Sequence, residues 1–230
     1  MTLRIRDVLP ATPRARVVRI DLDGQLFPYR AGQAVLIASQ GYERRKPYSI
    51  ASAPEDAERD GYLELLVGVD AEGAAGTHLR LQRDELVDVD GPVGRFTFPA
   101  HPAERRFLFV AGGTGIAPLR AMLRHALHLP HREVGLLYSA RTPQEFAFEE
   151  EFRSLAREGE IHLRQTVTRE AAETWDGRRG RISQSDLAPL VHDQETLCFI
   201  CGPPALVADI PKLLGELGVE PGRVRIEEWN

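Results

Sequence analysis

The run Phe107-Leu108-Phe109-Val110-Ala111-Gly112-Gly113-Thr114-Gly115-Ile116-Ala117-Pro118 narrows the folds open to this chain more than any other segment. Five successive apolar residues read as a strand covered on both faces, as in the middle of a parallel sheet. Glycines follow at once, and Leu119, Met122, Leu123, Ala126 and Leu127 then fall at helical spacing. Strand, glycine-rich turn and helix, in that order, form the context in which such a loop holds a dinucleotide. The glycines let the backbone approach a pyrophosphate, and a helix N-terminus offers unpaired N–H groups with partial positive charge. Pro118 suits the first helical turn, where its missing N–H would be unpaired anyway. An ordinary βα turn does not need so many special residues.

The same rhythm continues downstream. A strand is expected over 133–138, then a helix opened by Thr142-Pro143-Gln144-Glu145, with Thr as N-cap, Pro first and Glu three residues after the cap. Phe148, Phe152 and Leu155 continue its buried face. Strands over 161–167 and 197–201, a helix over 205–217 and a closing strand over 224–227 complete a doubly wound α/β parallel sheet across residues 105–230. Upstream the pattern is different. Short apolar or alternating runs around Leu3, Ile5 and Val8, and over 17–22, 34–37, 62–67 and 96–98, are separated by Asp23-Gly24, Ala31-Gly32, Asp60-Gly61 and Gly91-Pro92. That spacing predicts an antiparallel β-barrel over residues 1–100, interrupted by one helical stretch near 77–83. His101-Pro102-Ala103-Glu104 reads as the linker.

Composition excludes several classes. A length of 230 residues suits two domains of ordinary size, and no apolar run is long enough to span a bilayer, so no membrane partner is expected. The opening Met1-Thr2-Leu3-Arg4-Ile5-Arg6 alternates and lacks the order of a secretory signal, which points to the cytoplasm. A net charge of −5 argues against nucleic acid. Cys198 and Cys201 have CxxC spacing, but in a strand residues three apart face opposite sides, so neither a shared metal nor a disulfide is expected. Two cysteines also fall short of the usual four ligands of an iron–sulfur cluster.

A second chemical signal lies in the barrel half. In Lys46-Pro47-Tyr48-Ser49 a cation, an aromatic ring and a hydroxyl are spaced to grip a flavin nucleotide: Lys46 at phosphate, Tyr48 on the ring system, Ser49 at a ring nitrogen. Alone, the segment reads equally well as an edge strand with a surface lysine and a packed tyrosine.

Together these motifs resemble the ferredoxin–NADP reductase family, and the resemblance runs essentially end to end. Gly32-Gln33 is similar to the family's barrel entry, and Lys46-Pro47-Tyr48-Ser49 to its flavin motif of Arg, any residue, Tyr and Ser. Gly73-Ala74-Ala75-Gly76-Thr77 resembles the loop and short helix that hold the flavin phosphates. Gly91-Pro92-Val93-Gly94 with Phe96 resembles the barrel's closing motif. Gly112–Pro118 is similar to the nicotinamide-nucleotide loop, with Gly113, Thr114, Gly115, Ile116 and Pro118 in the binding set. Cys201-Gly202-Pro203-Pro204 resembles the strand end under the nicotinamide, and Glu227-Glu228-Trp229 the terminal Glu-any-aromatic whose ring covers the flavin. The resemblance also assigns Val67, Gly68, Val69, Ser139 and Arg141 to the cofactor-binding set. The chain departs from the family at Lys46, which replaces Arg and leaves a point charge beside Arg44 and Arg45, and at Gly76, where a Ser often binds phosphate.

The family resemblance implies a barrel binding FAD, a second domain binding NAD(P)H, and hydride transfer between them, the protein contributing position and electrostatics. Ser49 and Glu227 would tune the flavin edge, Cys201 would pack by the reacting carbon, and Trp229 would have to move during turnover. Thr168-Arg169 is similar to the pair that holds a 2′-phosphate in NADP-specific members, with Arg178, Arg179 and Arg181 nearby, whereas Glu170 would repel that phosphate. NADPH is favoured over NADH. The acceptor would be a separate protein: a ferredoxin, a flavodoxin or an oxygenase component. Two alternatives stay open, a free-flavin reductase and a flavin-binding electron-transfer subunit of a larger complex.

Overall fold

Residues 1–169, 175–191 and 193–228 are described by a computed structural model of the chain. Two compact units emerge, Met1–Ala100 with Arg120–His125, and His101–Leu119 with Ala126–Asn230.

In the first unit, strands β1 (Thr2–Thr12), β2 (Ala15–Asp21), β3 (Ala34–Ser39), β4 (Lys46–Ser49), β5 (Tyr62–Gly68) and β6 (Leu86–Val93) form one antiparallel sheet in the order β4-β3-β6-β1-β2-β5. The two ends of that order meet. Ile50 bridges Leu65, and the Ala51 N–H donates to Glu64 O at 2.7 Å, so the sheet closes into a barrel. Alternation fills it: Ile5, Val18, Ile20, Val35, Ile37, Leu63, Leu65 and Val87 are all buried in one core. A buried pair, Arg120 Nη1 with Glu64 Oε2 at 2.8 Å, also belongs to this unit.

Three details of the barrel differ from the sequence-based expectation. No helix forms at 77–83; Ser39 N–H instead donates to His78 O at 2.9 Å and Arg80 N–H to Ser39 Oγ at 2.9 Å, while Leu79 is buried in the core. The backbone groups that a helix would pair internally are thus used by β3. The barrel's helix is α1 (Pro54–Asp60), opened by Pro at its first turn with Glu55 and Asp56, and closed by Gly61 at φ 76°. With Ala57 as its buried apolar side chain it shows no hydrophobic period. Finally, Phe96 and Phe98 are buried as alternation requires, yet 96–98 is not a strand, and Gly91-Pro92 lies inside β6 rather than in a turn.

The second unit is a parallel sheet in the order β10-β9-β8-β7-β11-β12, from β7 (Arg106–Gly112), β8 (Glu133–Ala140), β9 (His162–Val167), β10 (Arg178–Arg179), β11 (Leu197–Gly202) and β12 (Val224–Glu228). Its helices are α2 (Ile116–Leu127), α3 (Glu149–Arg157), α4 (Gln184–Leu187) and α5 (Pro204–Glu216). β7 and β11 are buried on both faces, as a parallel sheet covered by helices requires. Thr142 makes no side-chain cap bond; Pro143–Glu145 is a single 3-10 turn and α3 starts only at Glu149. The Thr-Pro-x-Glu signal therefore marks a turn ahead of the helix. Phe152 is buried inside α3 as its spacing required. Among the described residues no helix is long and apolar enough to cross a membrane.

Candidate functional site

The carboxyl ends of the parallel strands, where open α/β sheets take ligands, gather most of the residues singled out in the second unit. β7 ends at Gly112 and passes through one 3-10 turn, Gly113–Gly115, into α2. The turn is wedged against the end of β11. A Cβ on Gly115 would stand 2.4 Å from Cys201 O, and one on Gly112 would stand 2.7 Å from Pro203 Cδ. Gly113 has φ 56° and open space around it. Gly113 is exposed and no atom blocks its Cβ direction, which is the access a pyrophosphate would need. Tyr138 of β8 holds the loop from beneath: its hydroxyl donates to Gly113 O at 3.1 Å and accepts from Ala147 N–H at 3.2 Å. The sequence reading passed over Tyr138, whose apolar neighbours made it look like plain core.

Cys201 and Glu227 lie side by side in the register of β11 and β12. Burial, with the Glu227 carboxylate beside it, holds the Cys201 thiol far above its ordinary range, so it stays a thiol at neutral pH. Cys198 packs in the core below and burial pushes its thiol up to about 12. Both cysteines are free. Burial raises Glu227 to about 7, so its carboxyl can hold a proton at neutral pH. Trp229 and Glu170 lie outside the described residues.

At the end of β9, Thr168 N–H donates to Ala140 O at 2.9 Å and Arg169 N–H to Arg141 O at 3.0 Å, which ties this turn to Ser139, Ala140 and Arg141 at the end of β8. The Arg169 side chain is exposed. Arg178 is engaged with Asp186 at 3.0 Å, and Arg179 donates to Trp175 O at 2.7 Å.

In the barrel, β4 lies beside β3 with Ser49 buried opposite Ala34, Lys46 and Pro47 exposed, and Tyr48 half-buried. Arg45 is committed to Asp90 at 3.1 Å and Asp88 at 3.6 Å. After β5 the chain runs through Val69, whose N–H donates to Arg14 O at 2.9 Å, into a loop pinned by Asp70. The Asp70 carboxylate accepts from Glu72 N–H at 3.1 Å and Ala74 N–H at 2.8 Å. Gly73 and Gly76 both have positive φ, at 84° and 86°. A Cβ on Gly73 would stand 3.5 Å from the Arg16 guanidinium, a cation at this loop that the sequence reading missed.

His78, also missed, ends the same loop. Its Nε2 shares a hydrogen bond with the Tyr48 hydroxyl at 3.0 Å, and the two rings lie within 9° of parallel. His78 Nδ1 is buried without a partner. An orphaned ring nitrogen and two positive-φ glycines on one loop, with Arg16 of β2 reaching it, fit the phosphates of a flavin nucleotide. Among the described residues no group of His, Cys, Asp and Glu is placed to hold a metal ion.

Comparison with known proteins agrees. Residues 6–98 match the oxidoreductase FAD-binding domain and residues 109–212 the oxidoreductase NAD-binding domain. The chain is 34% identical over 242 residues to ferredoxin–NADP reductase B of Sorangium cellulosum, covering 99% of this chain and 96% of that one. The Amycolatopsis cytochrome P450 reductase GcoB superposes with a TM-score of 0.80 at 26% identity, over 99% of this chain and 69% of that chain. A ferredoxin NADP+ reductase from Neisseria gonorrhoeae with bound FAD and NADP shares the fold, with a TM-score of 0.78 at 20% identity over 99% and 98% of the two chains. The chain therefore belongs to the ferredoxin–NADP reductase family of FAD- and NAD(P)-binding oxidoreductases.

Proposed function

We propose that this reductase takes hydride from NADPH and passes electrons to a separate acceptor, a ferredoxin, a flavodoxin or an oxygenase component. The wedge of Gly112 and Gly115 against Cys201 and Pro203 carries the reading, because it leaves the loop backbone bare for a nicotinamide nucleotide beside a protonated thiol and a titrating carboxyl. When bound, the flavin accepts hydride and releases electrons to the acceptor. The chain's own residues position and shield. Gly113, Thr114 and the first turn of α2, with Ile116 and Pro118, hold the nucleotide phosphates. Cys201 packs as a neutral group, and Glu227 holds a proton at its carboxyl near neutral pH. In the barrel, Lys46, Tyr48, Ser49, residues Val67, Gly68 and Val69, and the loop Gly73-Ala74-Ala75-Gly76-Thr77 hold FAD. Arg169 favours NADPH, since Arg178 and Arg179 are engaged elsewhere. The Sorangium relative's name supports a ferredoxin acceptor, and the Amycolatopsis structure an oxygenase partner.

One observation favours a second reading, a free-flavin reductase: the motif's own cation, Lys46, is an exposed point charge, and Arg45 beside it is occupied by Asp90 and Asp88. The absorption spectrum of the purified protein separates the two. Stoichiometric FAD, with NADPH-driven reduction of added ferredoxin, is expected; colourless protein that reduces free flavin with saturation kinetics would overturn it.

A further inference from the structure

The Tyr48–His78 pair has a polar atom that nothing in the fold uses. His78 is 5% exposed, its carbonyl is held by Ser39 N–H at 2.9 Å, and its ring lies nearly parallel to Tyr48 with Nε2 3.0 Å from the hydroxyl. Its Nδ1 is buried without a partner, and the two atoms within 4 Å of a Cβ built on Gly76 are His78 Nδ1, at 3.6 Å, and Cε1. Gly76 itself brings no side chain against that nitrogen, and a buried imidazole nitrogen left unpaired is unfavourable in either tautomer.

We propose that His78 is a positioning residue for phosphorylated flavins: its Nδ1–H donates to a flavin phosphate at the Gly73–Thr77 loop, and its Nε2 accepts from Tyr48, turning the Tyr48 oxygen toward a hydroxyl of the flavin side chain. The proposal rests on the first unit binding FAD. The hydrogen count follows from the chemistry of a neutral imidazole. Burial, and then the Lys46 charge, hold His78 below its ordinary range, so at neutral pH one ring nitrogen donates and the other accepts. Burial raises Tyr48, which remains a phenol with a proton to give. A phosphate on Nδ1 selects the tautomer in which Tyr48 is the donor, and the phenolic oxygen keeps its lone pairs for the ligand. Phosphate recognition and placement of the flavin's hydroxyl chain are thereby linked through two side chains, in a protein whose flavin motif lacks the family's arginine.

The test uses the apoprotein titrated with FAD, FMN and riboflavin, followed by flavin fluorescence. His78→Gln keeps an amide near Nε2 and loses the Nδ1 position; His78→Asn does the opposite. His78→Gln is expected to weaken FAD and FMN about ten- to hundredfold, the range for one hydrogen bond to a charged group, and to leave riboflavin unchanged. His78→Asn is expected to recover much of the FAD affinity. Riboflavin binding doubles as the check that each variant is folded; should His78→Gln fail it, His78→Asn against His78→Phe gives the same contrast. Equal losses for all three flavins, or none, would overturn the proposal, since His78 would then only pack against Tyr48. Wild-type protein that binds none of the three would instead remove the flavin reading itself.

Discussion

Arg169 and Glu227 are the two residues whose roles single substitutions separate best. Arg169 closes β9 with its side chain exposed and its backbone tied to Arg141. A charge-assisted bond to a 2′-phosphate is worth roughly 1.5–3 kcal/mol. Arg169→Ala should therefore lower kcat/KM for NADPH about ten- to hundredfold and leave NADH nearly unchanged. A parallel shift for both cofactors would remove Arg169 from cofactor choice. Glu227 makes a pH prediction. Its ordinary value of 4.5 is raised by burial to about 7. Between those values the unfolded chain has released a proton that the folded chain keeps, so this group's contribution makes stability fall as pH rises through that window and level off above it. Glu227→Gln removes the titration. Melting temperatures at about pH 5 and about pH 8 should show the variant gaining on wild type as pH rises; identical slopes would exclude a titrating Glu227. Both residues were legible in the sequence, because a motif announces its own positions. His78, Tyr138 and Arg16 carry no motif, and their roles come from what the loops bring beside them.

At the scale of elements, the junction of β7, the glycine turn and α2 is where backbone meets backbone most closely. A methyl on Gly115 meets Cys201 O at 2.4 Å, whereas one on Gly113 meets nothing and only strains a φ of 56°. Gly115→Ala should thus cost about 3 kcal/mol by forcing main chain apart, against about 1–2 kcal/mol for Gly113→Ala. Urea midpoints order the two variants, and the reverse order would show that β11 yields at its end. The alternation of strand and helix along the second unit was readable because fully apolar strands and amphipathic helices have different periods, although the short β10 and α4 were not foreseen. Helix α1 escaped because its evidence lies in caps, Pro54 and Gly61, rather than in period. The segment 77–83 forms no helix because Ser39 takes backbone bonds that a helix needs, while Leu79 is buried in the barrel core.

For the whole molecule, the sequence by itself determined the two architectures and the family, and it nominated the loops proposed for the cofactors. All of these are local, written in hydrophobic period, in glycine and proline, and in motifs a few residues long. Tertiary structure alone decided which strands are neighbours and what each strand end faces. Barrel closure through Ile50 and Leu65, the wedge of Gly115 against Cys201, and the pairing of Tyr48 with His78 join residues 15, 86 and 30 positions apart. Contacts at such separations follow from chain topology and packing, which no local pattern encodes. Burial of Glu227 in the last strand, and with it a carboxyl that titrates near neutrality, is decided in the same way.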